Sequence, residues 1–517
     1  MLIGDIPERN AKLYPDGLAL QDGEARFSFA QMDQRTNRLA HALRALGCDQ
    51  GDRVAVLHEN CFQYIELYFA AAKAGLPLVP LNYRLSQQEI AYILQDSGAR
   101  TLFYGGMFQP LVDALRGDTP QLARCVCIDR QSGDSPFYED LLAAASPRKP
   151  EVRVDESEIA VLGYTGGTTG LPKGVMSTHR NIISSCYNTA LERRLSPGLS
   201  FLNVPPLFHA GDTNSMFAFS FMGGANLITR SFDPDLVLRQ IQQYRITHLL
   251  LVPAMILRML EHPNFGQYDL GSLQVIYYGT APMPVEPLRR AMAAFKCGFS
   301  QTYGATETFV PITILQPEDH LPNGDEEQIR RLASAGREVI GVQVKVVGSE
   351  GNALGPGEVG EIAVRGSNVM KGYWNKPELT REVLRDGWYY TGDMGQLDAF
   401  GYLFIVDRKK DMIISGGENI YPTEIENILF RHPAVADAAV IGVPDENWGE
   451  AVKALVVLKQ GVTATEPELI EFCMTRLASF KKPRSVSFVS ELPRSGAGKL
   501  LKRQIREQYW EGRERSI

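Results

Sequence analysis

Short apolar runs alternate with amphipathic helical stretches through the first 280 residues, and this alternation restricts the fold more than any other feature. Met32, Leu39, Leu43 and Leu46 recur at helical spacing and stop at Gly47, so a helix is expected there, followed by a strand over 53–57. A helix over 62–74, a buried strand over 76–81, and a helix opened by a Ser86/Glu89 capping box and running to about 95 continue the pattern, with a strand at 101–104. Residues 129–158 read as a polar connector. The alternation resumes with a helix from His179 to about Leu195, a strand over 199–204, a helix over 234–244 capped by Asp233, and strands over 248–252 and 274–278. Strands and helices alternating at this spacing form right-handed parallel units in a doubly wound sheet, whose ligands bind at the carboxyl ends of the strands.

One such strand, over 159–162, feeds YTGGTTGLPKG at residues 164–174. Glycines let backbone N–H groups approach a polyphosphate, threonine hydroxyls donate, and a lysine adds a point charge. The order Lys173-Gly174, with Pro172 before it, excludes a Walker loop, which needs Gly-Lys-Ser/Thr opening a helix.

With 517 residues the chain exceeds one domain core, and from about residue 335 short strands with glycine turns and no helices between them replace the earlier alternation. A net charge of −7 argues against a nucleic-acid partner. No apolar run reaches the roughly 18 residues of a membrane span and nothing at the start suggests a signal peptide, so a cytoplasmic protein is expected. The seven cysteines read as reduced, mostly buried thiols, with Cys125 and Cys127 on one face of a strand.

The loop at 164–174 resembles the phosphate-loop signature of the acyl-CoA synthetase branch of the adenylate-forming enzymes, with Gly166 where that family usually has serine. Further segments resemble the family in the right order: PLFH at 206–209, GTAPMP at 279–284 (usually GGAPL), QTYGATE at 301–307, TGD at 391–393 and DRKKD at 407–411. The resemblance covers nearly the whole chain. It implies an α/β fold with a large N-terminal domain, 1–408, of two doubly wound sheets plus a small distorted β-barrel. A small mobile α+β domain, 409–517, is expected to follow, hinged near Lys410.

The resemblance also distributes roles. Thr165, Gly166, Gly167, Thr168, Thr169, Gly170 and Lys173 would cradle the phosphates of ATP. Gly279, Thr280, Ala281 and Pro282 would lie along the adenine, where Thr280 narrows either the adenine slot or the adjoining acyl pocket. From Gln301, Thr302, Tyr303, Gly304, Ala305 and Thr306, Tyr303 would stack on the base and Thr306 would sit near the α-phosphate; Glu307 would bind magnesium. Asp393, with Ile405 and Arg408, would complete the nucleotide set, the carboxylate accepting from the ribose hydroxyls. His209, Ala210, Tyr277, Tyr278, Gly304 and Phe309 would line the acyl pocket; Asp212, Thr213 and Asn214 are polar for an aliphatic channel and equally suit a solvent face.

Lys499, in PRSGAGKLLKR at 493–503, would be the catalytic lysine of adenylation. A carboxylate attacking a phosphate brings two anions together, and at about 4 Å these repel by about 4 kcal/mol at an effective dielectric near 20, which a cation relieves. Arg84, Gly416, Gly417, Trp448, Phe480 and Lys482 would meet coenzyme A. The implied function is ATP-dependent activation of a fatty or aryl carboxylic acid and its transfer to coenzyme A, with AMP released. The alternatives are an enzyme that loads a carrier protein and a non-catalytic nucleotide-binding protein; a homodimer is left open.

Overall fold

The computed structural model describes residues 1–129, 135–165, 171–281, 283–416, 418–445, 447–494 and 500–510. Two compact units divide the chain: residues 1–344 with 364–389, and residues 345–363 with 390–517.

The first unit holds two large sheets. A six-stranded sheet has the order Arg124–Cys127, Thr101–Tyr104, Val54–Leu57, Leu78–Pro80, Ile159–Thr165, Lys173–Thr178; all neighbours are parallel except the last pair. A nine-stranded sheet is parallel through its centre, where Gly298–Tyr303, Val275–Gly279, His248–Leu251, Ser200–Asn203 and Ala225–Ile228 lie in that order, with antiparallel strands at its edges. These are the doubly wound sheets the alternation predicts. A separate five-stranded sheet contains Val342–Val347, Gly360–Gly366, Trp388–Leu397, Leu384–Arg385 and Leu403–Arg408.

Helix Phe62–Ala74 lies within the main core of the first unit. It is apolar on all sides and buries every residue but Phe62, as a helix enclosed by a core must. Its two charges are answered within that core. Lys73 donates to Asp33 at 2.6 Å and Asn37 at 2.6 Å, and Glu66 accepts from Arg35 at 2.5 Å and from Tyr138 at 2.6 Å.

The Ser86/Glu89 capping box forms as expected and opens Gln87–Ser97, while Gly47, at φ 79, ends the turn after Phe29–Ala45. Three expectations are corrected. The connector 129–158 contains a helix, Tyr138–Ala144, because Tyr138 and Leu142, four residues apart, both pack into the main core. Helix His179–Glu192 stops three residues short of Leu195, since Arg194 takes a left-handed φ of 51. A short helix, Pro377–Val383, also stands among the later strands.

The second unit contains a sheet ordered Glu418–Ile420, Ile413–Ser415, Gly449–Leu458, Val435–Asp445, with Ser485–Phe488 parallel to Gly449–Leu458. Helices Pro422–Leu429 and Glu466–Met474 close one face around Ile425, Leu429, Val440, Val456, Leu469 and Cys473, the α+β arrangement expected for the small domain. All seven cysteines are free, six of them buried and Cys297 partly so. No helix among the described residues is long and apolar enough to cross a membrane.

Candidate active site

The segment between Thr165 and Lys173 joins the two strands of a hairpin. Strands Ile159–Thr165 and Lys173–Thr178 are antiparallel, and Thr165 is the register partner of Lys173, so the two residues flanking the glycine-rich turn stand side by side. Gly166, Gly167, Thr168, Thr169 and Gly170 lie outside the described residues. Against this hairpin packs the segment after Tyr303: a methyl group added at Gly163 would stand 3.5 Å from the Thr306 side chain.

Tyr373 ties the two together. Its hydroxyl donates to Glu307 Oε1 at 2.8 Å, its ring lies 5.5 Å from Lys173 Nζ, and its backbone bridges to Val175. Burial and the neighbouring Glu307 carboxylate push the Tyr373 phenol up, so it remains a donor at neutral pH. A lysine and a carboxylate 134 residues apart are thus held on one side chain. No feature of the sequence reading pointed to this tyrosine; the only trace was an aromatic pair after glycine, in KGYWN.

The turn that carries Glu307 is strained and pinned. Phe309 and Val310 both take left-handed φ values, 46 and 52, which cost about 1–2 kcal/mol per non-glycine residue. Ser185 Oγ donates to Phe309 O at 3.0 Å, buried Asn368 donates to Thr308 O at 3.0 Å and Pro311 O at 3.2 Å, and the N–H of Met370 donates to Glu307 O at 2.7 Å. Strain held this firmly fixes the direction of the Glu307 carboxylate. Among the described residues no group of three or more His, Cys, Asp or Glu could hold a metal. One carboxylate suits a magnesium ion that keeps its waters and phosphate oxygens as its other ligands.

At the expected adenine turn, Gly279 is required by sheet packing, since a Cβ there would meet Thr302 O at 2.3 Å. Thr280 holds a φ of 66, a strained position for a β-branched residue. Pro282 lies outside the described residues. Gln301, Thr302 and Tyr303 end the neighbouring strand, and Gly304, where an added Cβ would meet Val310 at 3.0 Å, leads through Ala305 to Thr306.

The expected acyl-pocket residues separate. Tyr277 and Tyr278 are successive in one strand and point to opposite faces of the sheet. Tyr278 packs in the core with Phe299 and is hydrogen-bonded to His320 Nε2 at 3.0 Å, whereas Tyr277 stacks on His248 and under Arg193. The two therefore do not line one channel together. His209 stands at the N-terminal boundary of helix Ala210–Phe221 with its ring against Phe208, and Phe309 packs near Phe217. Asp212, Thr213 and Asn214 do not face solvent: all three are buried, Thr213 donating to Leu207 O at 2.7 Å and Asn214 linking Thr189 to Ser185.

In the second unit Asp393 and Arg408 are register partners on adjacent strands, with Arg408 Nε 3.4 Å from Asp393 Oδ1; Ile405 lies on the same strand as Arg408. Lys410 is lowered to about 8 by burial and by Arg408 and Arg506, partly offset by Asp411. Gly416, at φ 61, has no room for a Cβ, which would meet the Trp448 ring at 2.5 Å. Trp448 and Phe480 are both nearly half exposed, Lys482 is partly buried, and Lys481 pairs with Glu424 at 2.8 Å. Arg84, in the first unit, is exposed with its guanidinium 5.4 Å from the Tyr83 ring. Gly417 and Lys499 lie outside the described residues.

Comparison with known proteins accounts for this set of features. Residues 7–374 match the AMP-binding enzyme family and residues 424–499 the AMP-binding enzyme C-terminal domain. A feruloyl-CoA synthase from Amycolatopsis sp is 40% identical over 98% of this chain and 99% of its own. The long-chain-fatty-acid–CoA ligase FadD13 of Mycobacterium tuberculosis is 38% identical over 94% of each chain. The structure of o-succinylbenzoate CoA synthetase (MenE) from Bacillus subtilis, in complex with its acyl-adenylate intermediate, superimposes with a TM-score of 0.85 at 31% identity and 99% coverage of both chains. The chain belongs to the AMP-binding enzyme family.

Proposed function

We propose that this protein is an AMP-forming acyl-CoA ligase that activates an aryl or a medium- to long-chain fatty acid with ATP and transfers the acyl group to coenzyme A. The observation that carries the reading is the joint hold of Tyr373 on Glu307 and Lys173, which sets one anionic and one cationic group beside the phosphate-loop hairpin. The carboxylate of the substrate attacks the α-phosphorus, pyrophosphate departs, and an acyl-adenylate remains. Lys173 and Thr165 hold the departing phosphates, and Lys499 offsets the repulsion between the two reacting anions. Magnesium, when bound at Glu307, neutralises phosphate charge. Thiol attack on the mixed anhydride then yields the thioester and AMP.

Asp393 and Arg408 are assigned to the ribose, Tyr303 to the adenine, and Gly416 with Trp448 to coenzyme A. We place the swivel between the two chemical half-reactions at Lys410, with the domain boundary at 408/409, and the enzyme in the cytoplasm. The test is ATP–pyrophosphate exchange across a panel of aryl and fatty acids, followed by thioester formation with free coenzyme A. Exchange that depends on the acid, with thioester and AMP formed in equal amounts, supports the reading; exchange without thioester would assign the product to a carrier protein instead.

A further inference from the structure

We propose that Asp212, backed by Arg193 and Tyr277, reads a hydroxyl group at the far end of the acyl substrate, an inference that rests on the ligase reading above. The three side chains come from separate elements: the first turn of Ala210–Phe221, the C-terminal cap of His179–Glu192, and strand Val275–Gly279. Asp212 is 0%, Tyr277 1% and Arg193 9% exposed.

The Arg193 guanidinium lies 3.7 Å from the centre of the Tyr277 ring and donates to Ser215 Oγ at 2.9 Å and Thr302 Oγ1 at 3.2 Å. It forms no hydrogen bond with Asp212, although it is near enough to pull that carboxyl's pKa down against burial. Both oxygens of Asp212, the Nε of Arg193 and the hydroxyl of Tyr277 have no hydrogen-bond partner among the described residues. Buried polar atoms are nearly always bonded, and each one left unmet costs about 1–3 kcal/mol. Four in one neighbourhood mark groups that a ligand completes. The place agrees: Asp212 follows Gly211, whose added Cβ would stand 3.9 Å from Thr280, and lies three residues beyond His209, so its turn borders the residues assigned to the acyl pocket.

The chemistry selects a neutral group that both donates and accepts. A hydroxyl donates to an Asp212 oxygen and accepts from Arg193, or from Asp212 when that carboxyl holds its proton. A terminal carboxylate would gain Arg193 but meet an ionised Asp212, and a terminal ammonium would gain Asp212 but meet Arg193, so each carries a like-charge contact that a hydroxyl avoids. A terminal methyl group would leave all four atoms dry and unpaired, the situation in which a site built to bond a hydroxyl discriminates most strongly. The hydroxyl can come from a phenol or from an ω-hydroxy fatty acid, and both are carried into the test.

The experiment measures kcat/KM for pyrophosphate exchange by the full-length protein on two matched pairs: 3-phenylpropenoic acid with its 4-hydroxy derivative, and octanoic acid with 8-hydroxyoctanoic acid. The wild type is expected to favour the hydroxylated member of one pair by at least about tenfold, and the pair concerned identifies the source. Asp212→Leu, or Asp212→Ala if the leucine variant does not fold, is expected to remove that preference, and Asp212→Asn to keep part of it. A preference unchanged in Asp212→Leu, none in the wild type, or a stronger one for octanedioic acid would overturn the inference and leave the ligase reading standing. No exchange with any acid would sink both.

Discussion

Glu66 and Asp212 are both fully buried carboxylic acids on helices of the same unit, and they differ in what answers them. Burial pushes the pKa of each up. At Glu66 the Arg35 guanidinium and the Tyr138 hydroxyl pull back through hydrogen bonds of 2.5, 3.1 and 2.6 Å, with Glu139 sharing the arginine. At Asp212 no described group donates. The first arrangement is closed and needs nothing further; the second holds polar groups ready at an energetic cost, as binding sites do. A buried carboxyl completed by its own fold reports on stability, whereas one left open is the kind of group we propose a ligand completes.

The largest effect expected from this contrast is on folding. Glu66→Gln removes the buried charge that Arg35 and Tyr138 bond and leaves Arg35 paired with Glu139 alone; it should destabilise by about 1–3 kcal/mol in denaturant unfolding, with the preference among acids unchanged. Asp212→Asn keeps the shape of a side chain that no described group bonds and should shift stability by less than about 1 kcal/mol. If the two variants cost the same, the distinction between closed and open sites fails.

Lys410 lies between these extremes, since burial lowers its ammonium to about 8 while Asp411 only partly answers it. Below that pH the charged form is present in both the folded and unfolded chains, and the folded state carries the full cost of burying it. As pH rises from about 8 towards the ordinary 10.5 the folded state releases its proton first, and that cost fades. Wild-type stability relative to Lys410→Met should therefore climb across this window, which paired thermal melts would show; a flat difference would mean the amine is solvated. A further, small effect concerns backbone strain rather than charge. Thr280→Gly removes a β-branched residue from a φ of 66 and should stabilise by about 1 kcal/mol.

How much of this was legible in the sequence depends on how far apart the partners are. The helix Phe62–Ala74 and the Ser86/Glu89 box are local patterns and form where they were expected. The glycine-rich segment at 164–174 and the Glu307 segment are contiguous motifs, so their resemblance to the family is legible without the fold. Tyr373 and Asn368 carry no local signal: each matters through residues about 60 positions away, and Arg193 through Ser215 and Thr302, which meet only once the fold is assembled. The separation of Tyr277 from Tyr278 was available, because adjacent residues of a strand face opposite sides. Helix Tyr138–Ala144 was too short for two inward residues to establish a period.

The central claim is that acid activation by adenylation is the first chemical step and that Lys499 serves it. The most direct measurement is pyrophosphate exchange by Lys499→Ala beside its thioester formation from a supplied acyl-adenylate. The account predicts that exchange falls by roughly a hundredfold or more, as when one preorganised charge-stabilising group is removed, while the supplied adenylate is still converted. Exchange at the wild-type rate with thioester formation lost would contradict it.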